Sequence, residues 1–307
     1  MREHITYCGF IAIVGRPNVG KSTVLNQLIE QKISITSRKP HTTRHEIIGV
    51  QSEGIYQSIY IDTPGLCIEE KNTIHRFMNR AIKNSITKAR LVIFIIEGIN
   101  WTVADKMIMH YLKEKSLVLL VLNKIDIISN KSLLLPHLQR LSQKRRFVDI
   151  VPISAKLGTN INVISNIVHK YLLKSEHYFP ETCITNRSQK FMASEIIREK
   201  IIRYLGGELP YSVMVEIEQF FINKNGMLII YGIILVHSAS HKKIVIGHNG
   251  AKIKSIGIAA RHNMETIFGH KVHLELWVKM TSGERDYQDT VSDIEYKNII
   301  PLKKNLD

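Results

Sequence analysis

Eight consecutive residues constrain this chain more than any others: Gly15-Arg16-Pro17-Asn18-Val19-Gly20-Lys21-Ser22, a G-x-x-x-x-G-K-[ST] run. Glycines let such a loop wrap closely around a phosphate chain, with successive backbone N–H groups pointing inward. The Lys21 ammonium then reaches the terminal phosphates, and the Ser22 hydroxyl is an oxygen of the kind that magnesium takes. The positive end of the following helix adds to the anion site. The setting fits, because the apolar run 11–14 enters the loop as a strand and a helical pattern leaves it. A chance glycine turn is the bland alternative, and this strand-loop-helix context argues against it. The expected phosphate-facing set is Gly15, Asn18, Val19, Gly20, Lys21, Ser22 and Thr23.

Up to about residue 173, short apolar runs alternate with segments of helical period. Strands are predicted over 9–14, 47–51, 56–61, 91–96, 117–122 and 148–153, with helices over stretches such as 21–31 and 73–84. This alternation builds βαβ units, so the expected fold class is an α/β P-loop domain around a mixed, mostly parallel six-stranded sheet. Ser52-Glu53-Gly54 is a short turn that makes the second and third strands an antiparallel hairpin. Polar residues over 174–189, with Pro180 among them, read as a linker. Beyond it the order becomes α-β-β-α-α-β. A helix over 191–205 ends at Gly206-Gly207, strands over 213–222 and 228–236 are joined by a turn at 223–226, two helical segments flank Gly257, and a strand covers 270–280. The expected division is a nucleotide domain over 1–175, a linker over 176–190, an α+β domain over 191–283 and a polar tail over 284–307, to which no fold is assigned.

A P-loop alone leaves ATPases and kinases open. Asn123-Lys124-Ile125-Asp126 directly follows the apolar strand 117–122, where a ligand-facing loop belongs. A carboxylate at 126 can accept from both the ring N–H and the exocyclic amine of guanine, whereas adenine turns an acceptor toward it. Such a mismatch costs on the order of several kcal/mol. Asn123 is expected to brace the loop, the Lys124 stem to cover a face of the base, and Ser154-Ala155-Lys156 to offer a backbone N–H to the guanine carbonyl. Asp62-Thr63-Pro64-Gly65 also ends a strand; Asp62 is expected to hold magnesium through a water and the Gly65 N–H to sense the γ-phosphate. In the polar stretch 37–45, Thr43 is favoured to complete the magnesium shell, with Thr42 its competitor. The catalytic set is therefore Lys21, Thr43 and Gly65. Leu66 stands where Ras-like enzymes orient water with glutamine. That gap predicts slow intrinsic hydrolysis, with the water positioned by another element, a partner or a monovalent cation such as potassium. Asn18 is the candidate cation ligand; its alternative role is to brace the loop.

Residues 245–257 contain a G-x-x-G turn between helices, Gly247-His248-Asn249-Gly250, followed by Lys252 and Lys254. G-x-x-G alone is weak. Within an α-β-β-α-α-β order it is the turn with which a KH type II module clamps about four nucleotides of single-stranded RNA. The expected contacts are Ile246, Gly247, His248, Asn249, Gly250, Lys252 and Lys254. Charge agrees: over 224–280 eight Lys or Arg stand against Glu265 and Glu275 alone, in a chain of net charge +15. Such an excess favours a polyanionic partner; a solvated lysine-rich face is the alternative.

Three scattered cysteines fit a reducing compartment. The longest apolar runs, 91–96, 117–122 and 228–236, fall far short of the roughly 18 residues of a membrane span. With no signal-type core over 1–6 the chain is expected to be cytoplasmic, and monomeric.

Taken together, 15–23, 33–44, 62–66, 123–126, 151–156, 191–200, 208–213, 245–257 and His273-Leu274-Glu275-Leu276-Trp277-Val278-Lys279 resemble the Era family of bacterial GTPases. Ile33-Ser34-Ile35-Thr36-Ser37-Arg38-Lys39 and the KH stretch are more specific to that family than the shared GTPase motifs. The resemblance implies GTP and GDP with Mg2+ as ligands, a KH grip near the 3′ end of 16S ribosomal RNA, and a part in assembling the 30S ribosomal subunit. It also implies peripheral association with the inner membrane. Competing readings are a GTPase that matures the large subunit or modifies tRNA, and an RNA-binding protein whose nucleotide site is only a sensor.

Overall fold

The computed structural model describes residues 5–37, 46–65, 73–112, 114, 116–205 and 213–281. These pack as two compact units, one running to Asn186 and the other starting at Arg187.

The first unit runs β1 (Tyr7–Val14), α1 (Lys21–Ile29), β2 (Ile47–Glu53), β3 (Tyr56–Asp62), α2 (Thr73–Lys88), β4 (Leu91–Glu97), α3 (Val103–Tyr111), β5 (Val118–Asn123), α4 (Leu134–Ser142), β6 (Asp149–Pro152), α5 (Ile161–Tyr171) and β7 (Leu173–Lys174). Six strands lie in the order β2-β3-β1-β4-β5-β6. The β2–β3 hairpin is antiparallel and the other pairs are parallel, as the sequence predicts. Central strands are apolar without alternation because both of their faces are buried. In β4, Val92, Phe94 and Ile96 pack with Ile108 and Leu141, while Ile93 and Ile95 are equally buried on the other face.

A seventh strand has no counterpart in the sequence reading. β7 pairs antiparallel with the start of β1, Tyr7 with Lys174 and Cys8 with Leu173. It uses the edge that β4 leaves open, since β4 joins β1 only from Ile11 onward. Two residues are too few to carry a periodic signal. The polar stretch that follows stays with this unit. Gln57 accepts from the Phe179 N–H and donates to the Phe179 carbonyl, and the Val50 N–H donates to Ile184 O along the outer edge of β2. An open strand edge is thereby covered.

Both β3 and β4 flank β1, so the strand order reverses there and a crevice opens at the carboxyl ends of the strands. Asp62, Glu97 and Asn123 are the last residues of β3, β4 and β5 at that edge.

The second unit runs α6 (Gln189–Tyr204), β8 (Met214–Ile222), β9 (Leu228–Val236), α7 (Ala239–Ile246), α8 (Ala251–Phe268) and β10 (Val272–Met280). Its sheet has the order β10-β9-β8, with β9–β8 antiparallel and β10–β9 parallel. Ile197 and Ile201 of α6 and Ile256, Ala260 and Met264 of α8 close over Ile230 and Ile234. The break between the last two helices falls at 247–250 and not at Gly257, which lies inside α8. A lone glycine costs a helix only about 1 kcal/mol, and a Cβ at 257 would come no nearer than 3.7 Å to Leu276. Gly206-Gly207, expected to end α6, lies outside the described residues; the helix stops at Tyr204.

Candidate functional site

Between β1 and α1 the chain turns tightly, with Asn18 at φ 65° and Gly20 at φ 99°. A Cβ on Gly15 would lie 2.5 Å from Ile95 O, and one on Gly20 2.3 Å from Asn123 Nδ2. Only glycine fits either place. Lys21 is buried, and its ammonium turns back into the loop, 3.1 Å from both Gly15 O and Arg16 O. The charge thus sits inside the arc that would hold a phosphate chain.

Beside it lies Asp62, fully buried. Its Oδ2 accepts from Ser22 Oγ at 2.7 Å and from Ser34 Oγ at 3.0 Å, while Oδ1 is buried with no hydrogen-bond partner. Burial pushes the Asp62 carboxyl up, against the Lys21 ammonium and the two hydroxyls, which pull it down. A buried carboxylate with one oxygen unused, next to a serine hydroxyl, suits a hard cation that takes oxygen ligands. Thr63 Oγ1 donates to Ile13 O at 2.8 Å, which fixes the end of β3 to β1. After Pro64, Gly65 lies so close to Pro17 that a Cβ would be 2.7 Å from its ring. Thr42, Thr43 and Leu66 lie outside the described residues.

Ser34 was not singled out by its sequence. It is held by Asn26, whose Oδ1 accepts from the Ile33 and Ser34 N–H groups (3.0 and 2.9 Å) and whose Nδ2 donates to Ser34 O at 2.8 Å. No motif marks an amide eight residues upstream of a serine; the only signal is that Ser34 falls in the family-specific stretch.

On the base side, Asn123 joins three loops. Its Nδ2 donates to Val19 O at 2.8 Å, and its Oδ1 accepts from the Ala155 N–H at 2.9 Å. Ser154 Oγ donates to Asp126 Oδ1 at 2.7 Å, which orients a carboxylate that is otherwise exposed. Of the N–H groups at 154–156, Ser154's goes to Thr159 O and Ala155's to Asn123, so Lys156's is the one without a partner among the described residues. Lys124, at φ 65°, turns its ammonium to Glu97, 3.0 Å away. Sequence reading missed Glu97. The available signal was its place: like Asp62 and Asn123, it is the polar residue that ends an apolar strand at the crevice.

In the second unit, α7 stops at Ile246 and the chain passes through Gly247 (φ 73°, ψ 179°), exposed His248, Asn249 (φ 47°) and Gly250 (φ 76°) before α8 begins. Lys252 and Lys254 are exposed on the first turn of α8. A Cβ on Gly247 would meet the Lys252 side chain at 2.8 Å, whereas one on Gly250 would meet nothing within 4 Å. The turn therefore leaves open space at Gly250, followed by two exposed lysines on α8, a surface suited to a sugar-phosphate chain.

Two family profiles match the chain: one described as "50S ribosome-binding GTPase" over residues 10–124, and one described as "KH domain" over 208–285. GTPase Era of Yersinia enterocolitica is 59% identical over 292 residues, which is 95% of this chain and 96% of that protein. GTPase Era of Yersinia pestis is 58% identical over the same shares. A crystal structure of an Aquifex aeolicus Era variant bound to GDP·AlF4− has a TM-score of 0.87 at 37% identity, covering 94% of this chain and 98% of that one. A structure of Era in complex with MgGDPNP and nucleotides 1506–1542 of 16S ribosomal RNA has a TM-score of 0.86 at 37% identity and the same coverage.

Proposed function

This chain belongs to the Era family of GTPases, and we propose that it is a GTP-hydrolysing switch whose KH domain binds 16S ribosomal RNA near its 3′ end during assembly of the 30S subunit. The observation that carries this reading is the meeting, at one sheet edge, of Lys21, the buried Asp62 with its unused Oδ1, and Asp126, with Asn123 tying the phosphate loop to the base-reading loops. The Era complex with MgGDPNP and a 16S fragment supports both ligands.

In this reading Gly15, Asn18, Val19, Gly20, Lys21, Ser22 and Thr23 hold the phosphates, while Thr63 and Pro64 shape the strand end that carries Gly65 to the γ-phosphate. Asn123, Lys124, Asp126, Ser154, Ala155 and Lys156 hold the guanine; with Ala155 N–H donated to Asn123, Lys156 is the free donor for the base carbonyl. Ser22 and Asp62, with Thr43, would hold Mg2+, which when bound offsets the charge on the β- and γ-phosphates. Lys21 keeps a positive charge at those oxygens, and Gly65 supplies an N–H. RNA is held by Ile246, Gly247, His248, Asn249, Gly250, Lys252 and Lys254. We further place the chain in the cytoplasm as a monomer, with peripheral contact to the inner membrane. Among the described residues no helix is long and apolar enough to cross a membrane.

Single-turnover hydrolysis of radiolabelled GTP, with and without the 16S fragment, tests the core of this reading. Turnover that the RNA accelerates supports it; binding without hydrolysis in either condition would leave only a sensor. We also propose potassium as the ion that compensates for Leu66, with Asn18 as its ligand. The expected result is faster turnover in potassium than in sodium, and loss of that difference in Asn18→Ala. Equal rates in both salts exclude the cation.

Replacing Lys252 and Lys254 together by alanine should weaken RNA binding and flatten its salt dependence. For every phosphate of the single strand that no longer meets an ammonium group, the log–log slope should fall by about 0.7. An unchanged slope in a filter-binding titration would remove both lysines from the interface.

A further inference from the structure

Glu97 and Arg16 take no part in the grip on the nucleotide, yet they pair beside it. Glu97 ends β4, and the strand register sets it beside Asn123 at the end of β5. The Gly98 N–H donates to Asn123 O at 2.8 Å and holds the two strand ends together. From there the Glu97 carboxylate spans two loops. Oε1 lies 3.0 Å from Lys124 Nζ in the base-reading loop, and Oε2 lies 3.6 Å from Arg16 Nη2 in the P-loop. Arg16 has a second carboxylate, Asp105 Oδ2, 3.5 Å from its Nε. Asp105 is fully buried and fixed by the Thr102 N–H (2.9 Å) and hydroxyl (2.7 Å) at the start of α3.

The bland alternative is a surface ion pair of little worth and without consequence. Two facts weigh against it. The side chains of Arg16 and Glu97 are only 20% and 23% exposed, so water screens the pair less than a surface pair. And a single carboxylate takes one partner from each of the two loops whose separation sets the distance from phosphates to base.

We propose that Glu97 is a positioning residue for nucleotide binding: it holds the Lys124 stem where it covers the base and Arg16 where it anchors the P-loop against the start of α3, so that the two loops keep one spacing. The proposal rests on the guanine-nucleotide reading. Glu97 acts through loops that grip the nucleotide alike before and during reaction, so its loss changes affinity and not the chemical step.

The test uses the full chain, a fluorescent GDP as the probe for release, and GTP for steady-state turnover. Glu97→Gln should release GDP about tenfold faster and raise KM by a similar factor, with kcat within about twofold of the parent. Glu97→Asp, which keeps the charge, should recover part of the loss. Arg16→Gln should also speed release. The double variant should then be less impaired than the product of the single effects, because both remove the same pair. Release from Glu97→Gln within twofold of the parent overturns the proposal, as does a fall in kcat at constant KM, or full additivity. If Glu97→Gln folds poorly, Arg16→Gln alone decides, with unchanged release overturning the proposal. A parent chain that binds no GDP overturns the guanine reading itself, whereas normal binding by the parent with an unaffected Glu97→Gln overturns this inference only.

Discussion

Asp126→Asn should cost GTP affinity on the order of 10²–10³-fold and create affinity for XTP. The carboxylate accepts from the two donors on the guanine edge, whereas an amide presents one acceptor and one donor. Its N–H₂ would face the guanine amine, leaving both donors unpaired at a cost of roughly 3–4 kcal/mol. Xanthine carries a carbonyl where guanine carries the amine, so the same amide matches it. Ser154 determines which way the amide turns. Its hydroxyl donates to Oδ1 at 2.7 Å, and an asparagine keeps that bond only with its oxygen in the Oδ1 place. Asp126 is exposed, so folding should change by no more than about 0.5 kcal/mol. Displacement of fluorescent GDP by GTP, ITP and XTP checks this. Unchanged preference for GTP would remove Asp126 from base recognition.

The motifs were legible because each is a run of neighbours whose backbone or side chains meet one ligand. Gly15 to Ser22, Asp62 to Gly65 and Asn123 to Asp126 all follow apolar strands, and the parallel sheet carries each strand end to one edge. What stayed hidden depends on contacts between segments. Ser34 reaches Asp62 only because Asn26 clamps its backbone, and Glu97 matters only if Arg16 and Lys124 both face it. No periodicity reports either fact. The misplaced helix break has a related cause. Gly257 and Gly247 look alike as letters, yet only Gly247 has a φ and ψ that end a helix. The polar stretch around Pro180 reads as a linker for want of a pattern, while in space Phe179 and Ile184 bond to β3 and β2.

Gly20→Ala should abolish tight nucleotide binding while leaving the first unit folded, and a matched substitution shows why. Gly54, in the β2–β3 turn, also has a positive φ of 58°, but a Cβ there meets nothing within 4 Å. Gly54→Ala therefore carries only the left-handed backbone penalty, about 1–2 kcal/mol, and its nucleotide affinity should match the parent. At Gly20 the same penalty arises at φ 99°, with the new methyl carbon 2.3 Å from Asn123 Nδ2. Exposed side-chain ends move aside cheaply. Asn123 is 2% exposed and cannot shift without giving up its bonds to Val19 O and the Ala155 N–H. Those two bonds tie the phosphate loop to the base loop and to 154–156, and each buried group left unpaired costs about 1–3 kcal/mol. Thermal unfolding with and without GDP separates the terms. At a hundredfold excess over Kd the parent and Gly54→Ala should both gain about 2.7 kcal/mol from GDP. Gly20→Ala should start below Gly54→Ala by about 2–6 kcal/mol, the cost of the two broken Asn123 bonds, and gain almost nothing. A full GDP shift in Gly20→Ala would mean that Asn123 is not the joint through which the three loops are held.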